Sequence, residues 1–420
     1  MTAPSGALIR IGETLELDVE RVGHGGICVA HAPDGRVVFI RHAIPGERVV
    51  VRVTESKKSF LRADAVEVLD ASPDRVEPPC VFAGPGRCGG CDWQHVSVPA
   101  QRALKATVVR EQLQRLAGLD LPVEVEELPG APDGLGWRTR VRFAVDRNGV
   151  VGFHKHRSSQ IEPIDMCLIA HPLVNELGVP TKSWPGATDV AVAVGAVTGD
   201  RLLDAMGDGK RRPHVPWLDA PTGVLVDGVR LGGRTTIREE VAGRGWRVSG
   251  TGFWQVHPAA AETLVDAVRA GLDPQPGERL VDLYAGAGLF AGALSPGLSS
   301  VVAVESHFGA VSDARRNLAE LASVSIVQGA VEDSLAGLGT ADLVVLDPPR
   351  SGAGAVVVAG IAALRPRRVA YVACDPAALA RDIKTFAAHG YDVVSVRAFD
   401  LFPMTAHVEC VAVLAPSGSP

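Results

Sequence analysis

The last third of this chain carries four short apolar runs, and each ends at a residue able to do chemistry. Leu280-Val281-Asp282-Leu283 leads into Tyr284-Ala285-Gly286-Ala287-Gly288, and Val301-Val302-Ala303-Val304 ends at Glu305. Leu343-Val344-Val345-Leu346 ends at Asp347, and Val369-Ala370-Tyr371-Val372-Ala373 ends at Cys374. Runs of this length, bounded by turn residues, read as buried strands of an open α/β sheet. In such sheets ligands and chemistry gather at the carboxyl ends of the strands. A fifth piece, His407-Val408-Glu409-Cys410, places an acid near the start of the final apolar run.

Each strand end has its own reading. The Gly-x-Gly turn lets the backbone approach a ligand closely. Glu305, about twenty residues on, suits the acid that accepts two ribose hydroxyls. That pair alone fits a nicotinamide dinucleotide and S-adenosylmethionine equally. The Asp347-Pro348-Pro349-Arg350 turn separates them. Its prolines fix the backbone beyond the strand and aim an acid into the cleft, which methyl transfer to a base can use and hydride transfer cannot. Cys374 is placed as a nucleophile, provided its surroundings favour the thiolate.

At 420 residues, with 46% hydrophobic and 21% charged, the chain is globular and long enough for two or three domains. The first ten residues show no secretory pattern, and no apolar run reaches the roughly 18 to 20 residues of a membrane span. A cytoplasmic location and no membrane partner are expected. The net charge of −6 argues against non-specific wrapping of nucleic acid but leaves room for a local basic surface.

Residues 8–71 read as all-β, with short apolar runs separated by turns at Gly23-His24-Gly25-Gly26 and Pro45-Gly46. This is the pattern of a small barrel of the oligonucleotide-binding kind. Lys57, Lys58 and Arg62 with Phe60 offer cations and an aromatic ring to RNA. The segment resembles a TRAM domain, an RNA-binding module.

Residues 72–245 form a central region of α+β character. Three of the seven cysteines fall here close together, at 80, 88 and 91, with Cys167 as the candidate fourth ligand. Reduced thiols at this spacing suit a soft metal, and the count fits zinc and an iron–sulfur cluster alike. Residues 101–118 carry a helical period, with Ala106, Val109, Leu113 and Leu116 on one face and Arg102, Lys105, Arg110 and Arg115 elsewhere. The run from Trp137 to Phe143 alternates Arg138, Arg140 and Arg142 with apolar or small residues, so one strand face is expected to be basic and to meet phosphates. Residues 172–245 show short strand-like pieces and no chemistry.

Taken together, the chain resembles the RNA 5-methyluridine (uracil-C5) methyltransferases, in the branch with a TRAM domain and an iron–sulfur cluster that acts on 23S ribosomal RNA. The resemblance implies a multidomain α/β protein: a TRAM barrel over 8–71, a central domain over 72–245, and a Rossmann-like class I methyltransferase over 246–420. It implies Cys374 as nucleophile, Glu409 as general base, and Gln255, Tyr284, Gly286, Gly288, Glu305 and Asp347 as contacts to S-adenosylmethionine. It also implies a 4Fe–4S cluster on Cys80, Cys88, Cys91 and Cys167. The implied partner is RNA, with ribosomal RNA favoured and the transfer RNA T-loop as the alternative; no obligate protein partner is implied. A non-catalytic iron–sulfur RNA-binding protein is the reading of another class. Two positions depart from the family pattern, His257 and Asp375, where Asn is usual. A carboxylate turned towards Cys374 would disfavour the thiolate, so the Asp375 side chain is expected to point elsewhere.

Overall fold

A computed structural model describes residues 9–250 and 252–418. The chain divides into two compact units. The first holds the described residues through Val108 together with Phe153–Glu162 and Phe402–His407; the second holds the rest.

In the first unit six strands between Thr14 and Asp70 form one barrel-like sheet. Its longest pair, Arg48–Ser56 and Phe60–Asp70, is antiparallel with three register shifts, and such bulges add the twist a small sheet needs to curl. Alternate residues point inward, so Val49, Val51, Val53, Leu61 and Ala63 are fully buried with Val38 and Ile40. Lys57 and Lys58 stand exposed at the turn, with Lys57 paired to Glu55 at 3.3 Å. Arg62 lies between Phe39 and Phe60, 5.4 Å from each ring centroid, so its cation is already engaged within the barrel.

The expected helix is present as Val98–Gln112, continued by a wider turn over Leu113–Ala117 and stopped by Gly118 in the left-handed conformation. Its residues Ala106, Val109 and Leu113 are buried as the periodicity implies. Lys105, assigned to the polar face, is instead fully buried, and its ammonium donates to the carbonyl of Phe402 at 3.0 Å. A buried ammonium needs such a partner, and this one lies 297 residues away in sequence.

The second unit is built on an eight-stranded sheet. Its order is Val324–Gln328, Ser300–Glu305, Arg279–Leu283, Leu343–Leu346, Arg368–Ala373, Glu409–Pro416, Tyr391–Phe399 and Val125–Glu126. The first five are parallel and Glu409–Pro416 runs against them. Leu280, Val281, Val344, Val345, Val369 and Tyr371 are fully buried, which accounts for the unbroken apolar runs. The chain order reverses between Arg279–Leu283 and Leu343–Leu346. That is the switch point where an open α/β sheet leaves a crevice.

The stretch without sequence signals folds into a second, mostly antiparallel sheet. Arg140–Val145, Ala187–Val194, Arg201–Gly207, Gly223–Val226 and Val229–Gly232 lie side by side in it. A hairpin, Thr236–Val241 with Arg244–Ser249, leads from there towards the elements of the eight-stranded sheet. Among the described residues no helix is long and apolar enough to cross a membrane.

Candidate active site

Five chemistry-bearing residues sit in sheet order along one edge. Glu305, Tyr284, Asp347 and Cys374 end or follow four neighbouring parallel strands, and Glu409 begins the antiparallel strand beside the last of them. Ala373 pairs with Cys410, so the next step sets Cys374 opposite Glu409. Facing residues of an antiparallel pair have Cα atoms about 4.5–5.5 Å apart.

The turn after the first strand is shaped for close approach. Tyr284 has φ of 61°, a left-handed backbone that a bulky residue adopts only where its surroundings hold it there. Gly288, at φ 90°, caps the helix Leu289–Leu294, and a Cβ there would lie 2.7 Å from Leu318. Gly286 faces open space, with nothing within 4 Å of where its Cβ would be. Glu305 braces the turn: its two carboxylate oxygens accept from the N–H groups of Gly286 (2.9 Å) and His307 (2.6 Å). A carboxylate has about four acceptor positions, so it keeps capacity for a ligand's hydroxyls.

Acids crowd this edge. Asp282 is buried, accepts from Ala291 N–H through one oxygen at 2.8 Å, and leaves the other unpartnered. Burial, with Asp347 and Glu305 nearby, pushes its carboxyl up to about 8. Asp347 is raised by desolvation, and Glu409 by burial and by the charge of Asp347, while Arg350 opposes the rise at Glu409. Buried carboxyls in each other's field hold protons that isolated ones would lose. Cys374 is partly exposed, and its thiol is pushed up to about 11, first by burial and then by Glu409, with Arg350 drawing it back down. Sequence reading did not single out Arg350 by itself. Its signal was there, as the cation closing a turn whose first residue aims an acid at the same cleft.

Asp375 turns away from this chemistry. Its Oδ1 accepts from Ala378 N–H at 2.8 Å and caps the helix Pro376–Ala388, as an Asp before a first-turn proline can. His257 is buried 6.1 Å from Trp137 in a stacked pair, and its Nδ1 accepts from Ala259 N–H. Burial holds its ring down at about 4, so it stays neutral. Gln255 is buried beside it and makes no side-chain hydrogen bond among the described residues. Beyond Cys374, Tyr371 donates to Asp382 at 2.6 Å, and Asp382 accepts from Ala353 N–H at 2.7 Å. This network fastens the loop that follows Arg350 to the helix that follows Cys374.

One sequence expectation changes. Arg138 and Arg140 do not form a simple solvent face with Arg142. Arg138 Nε donates to the carbonyl of Arg140, and Arg140 is partly buried and donates to Gly252 O at 3.1 Å; of the three, Arg142 alone is exposed. Among the described residues no group of three or more His, Cys, Asp or Glu side chains is arranged to hold a metal ion. Cys80, Cys88 and Cys91 share one loop of the first unit, where Cys88 Sγ accepts from Gly90 N–H and Cys91 Sγ from Gln94 Nε2. Cys167 belongs to the second unit, its backbone held at both ends by Asn175.

Residues 10–66 match the TRAM domain, and residues 240–416 match the family described as tRNA (Uracil-5-)-methyltransferase. A protein of Streptomyces coelicolor named as an RNA methyltransferase is 52% identical over 97% of this chain and 94% of its own length. The chain belongs to the family of these RNA methyltransferases. A Bifidobacterium longum protein, also named as an RNA methyltransferase, is 36% identical to this methyltransferase over 94% of this chain and 95% of its own. The solved structure of a Pyrococcus abyssi tRNA (uracil-54, C5)-methyltransferase with S-adenosyl-L-homocysteine has the same fold. Its TM-score is 0.73 at 24% identity, and the match covers 95% of this chain and 99% of that one.

Proposed function

We propose that this methyltransferase moves a methyl group from S-adenosylmethionine to carbon 5 of one uridine in RNA, with Cys374 as nucleophile and Glu409 as base. The facing positions of Cys374 and Glu409, beside Asp347 and Arg350 at the sheet edge, carry the reading. The acid-rich edge favours a cofactor with a cation at its reacting end. A sulfonium would favour the ionised forms of Asp282, Asp347 and Glu409, whereas the diphosphate of a nicotinamide dinucleotide would oppose their ionisation further. Glu305 and the Gly286–Gly288 turn would hold the nucleoside end, and Asp347, Tyr284 and Gln255 the remainder. When bound, the cofactor supplies an electrophilic methyl group.

The chain's own residues do the rest. Carbon 5 of uracil is a weak nucleophile until Cys374, as thiolate, adds to carbon 6. That carbon–sulfur bond pushes an electron pair towards the carbonyl at carbon 4 and makes carbon 5 nucleophilic. Once carbon 5 carries the methyl group, the Glu409 carboxylate takes its proton, the ring double bond re-forms and the Cys374 thiolate leaves. One difficult step becomes several easier ones. Arg350 favours both anions, and the uridine must lie in an unpaired segment or be flipped out to reach them.

Ribosomal RNA is the first substrate class to test, given the RNA-binding barrel at the N-terminus. Transfer RNA is the second reading, favoured by the fold match along nearly the full chain to an enzyme of tRNA uracil-54. Incubation with labelled S-adenosylmethionine and RNA from a strain lacking this gene, followed by size separation and nucleoside digestion, decides both questions. Label in 5-methyluridine supports the reading and its size class names the substrate. A Cys374→Ala protein that still methylates at the normal rate would overturn the mechanism.

A further inference from the structure

Five of the six tryptophans are buried, and Trp217 is 90% exposed. It stands on the loop between the strands Arg201–Gly207 and Gly223–Val226. The loop is pinned near both ends: His214 N–H donates to Pro185 O at 3.0 Å, and Lys182 Nζ donates to Asp219 Oδ1 at 2.8 Å. Pro213, Pro216 and Pro221 fix further backbone angles. The ring is therefore held out in advance, and little ordering is left to be done on binding. With Val215, Pro216, Leu218 and Pro221 it borders an open hollow of about 490 Å³.

Charge says what would lie there. Lys210, Arg211 and Arg212 are consecutive and exposed on the same loop. Arg211 and Arg212 have no ion pair among the described residues, and Lys210 reaches only the exposed Asp208, at 3.6 Å. The loop's other acid, Asp219, is taken by Lys182. In a chain of net charge −6 this is a local reversal of sign. Arg212 and Trp217 are five residues apart, at most ~17 Å of chain, which is the scale of a few nucleotides. A flat apolar ring beside exposed cations, two of them without an ion pair among the described residues, is the arrangement that stacks a base while holding its phosphates.

We propose that this loop is a second RNA-contacting surface, with Trp217 stacking on an unpaired base of the substrate and Lys210, Arg211 and Arg212 meeting its phosphates. It rests on the reading of the protein as an RNA methyltransferase.

Because only Trp217 is exposed, acrylamide quenching of the native protein's fluorescence reports on this ring alone. Addition of the RNA methylated in the assay above should reduce the quenching to that of a Trp217→Phe protein. Trp217→Ala should raise the KM for RNA on the order of tenfold and leave the KM for S-adenosylmethionine unchanged. Arg211→Gln with Arg212→Gln should lower the slope of RNA affinity against salt by about 2. Unchanged quenching while the same mixture is being methylated overturns this proposal and leaves the proposed function standing. Protection of Trp217 by a protein and not by RNA overturns it as well. Absence of methylation on every RNA strikes the proposed function, while protection of Trp217 by RNA is still read directly from the fluorescence.

Discussion

Cys374 and Glu409 face each other across neighbouring antiparallel strands, one step beyond the Ala373–Cys410 pair. The sheet itself brings them together, because the final strand enters antiparallel to its neighbour and so begins where that neighbour ends. The charge of Glu409 makes the Cys374 thiol hold its proton more tightly, and that leads to the first prediction.

Activity should rise with pH. The Cys374 thiol is pushed up to about 11, chiefly by burial and by Glu409, so only a small fraction is thiolate near neutrality. Glu409, held above the usual carboxylate range by burial and Asp347, must also be ionised to act as base. Both requirements point the same way. The single-turnover rate should climb by up to about tenfold per pH unit from 7 to 9. Arg350→Gln removes the cation that lowers both groups, and its profile should lie below the wild-type one and be displaced to higher pH. A flat profile, or a variant that matches wild type, contradicts the account.

Asp375 should matter to stability and not to acid–base chemistry. Its Oδ1 caps the helix Pro376–Ala388 through Ala378 N–H. Asp375→Ala should cost about 1 kcal/mol in denaturant unfolding. Asp375→Asn keeps an oxygen for the cap and should be close to neutral. If the Asn variant instead shifts the pH profile of methyl transfer, the side chain acts on the thiol after all.

Asp282 should make the ligand-free protein lose stability as pH rises. Its carboxyl is held at about 8 in the folded chain against 3.8 as the ordinary value. The folded state thus binds this proton more tightly than the unfolded one. The stabilisation is complete below about pH 4 and is lost as pH climbs to about 8. Thermal unfolding between pH 5 and 8 should fall less steeply in Asp282→Asn than in wild type. Parallel curves would show that the buried acid is compensated by something else.

Gly288 should tolerate no side chain. Its φ of 90° strains any L-residue, and an added Cβ would meet Leu318 at 2.7 Å. Gly288→Ala should weaken S-adenosylmethionine binding by tenfold or more in calorimetry and destabilise the protein by roughly 1–3 kcal/mol. Unchanged affinity would remove this turn from the cofactor site.

The catalytic sheet was legible in the sequence because its strands are covered on both faces. Leu343–Leu346 and Val369–Ala373 read as continuous apolar runs, and the residue that stops each run is the one delivered to the edge. Asp375 carries a local signal beyond the expectation that it points away from Cys374: an Asp before a first-turn proline can cap a helix. Lys105 was not legible, because the carbonyl that satisfies it belongs to Phe402. Arg140 misled for the same reason: strand alternation gives the side of the sheet but not the carbonyl of Gly252 waiting there. The sheet within residues 172–245 gave only a weak signal. Its strands pair mostly with their sequence neighbours, but Ala187–Val194 also reaches back to Arg140–Val145, and Arg201–Gly207 runs parallel to Gly223–Val226 across a proline-rich loop, pairings that no local pattern announces.

The most direct test of the central claim is the fate of Glu409→Gln mixed with S-adenosylmethionine and unmodified RNA. Without a base at that position the carbon 5 proton stays, elimination stalls, and the nucleophile remains joined to carbon 6. The account predicts a protein–RNA adduct that survives denaturation, carries one added methyl group and maps by mass spectrometry to the peptide containing Cys374. Free 5-methyluridine released at the wild-type rate with no adduct, or an adduct mapping to a different cysteine, would contradict it.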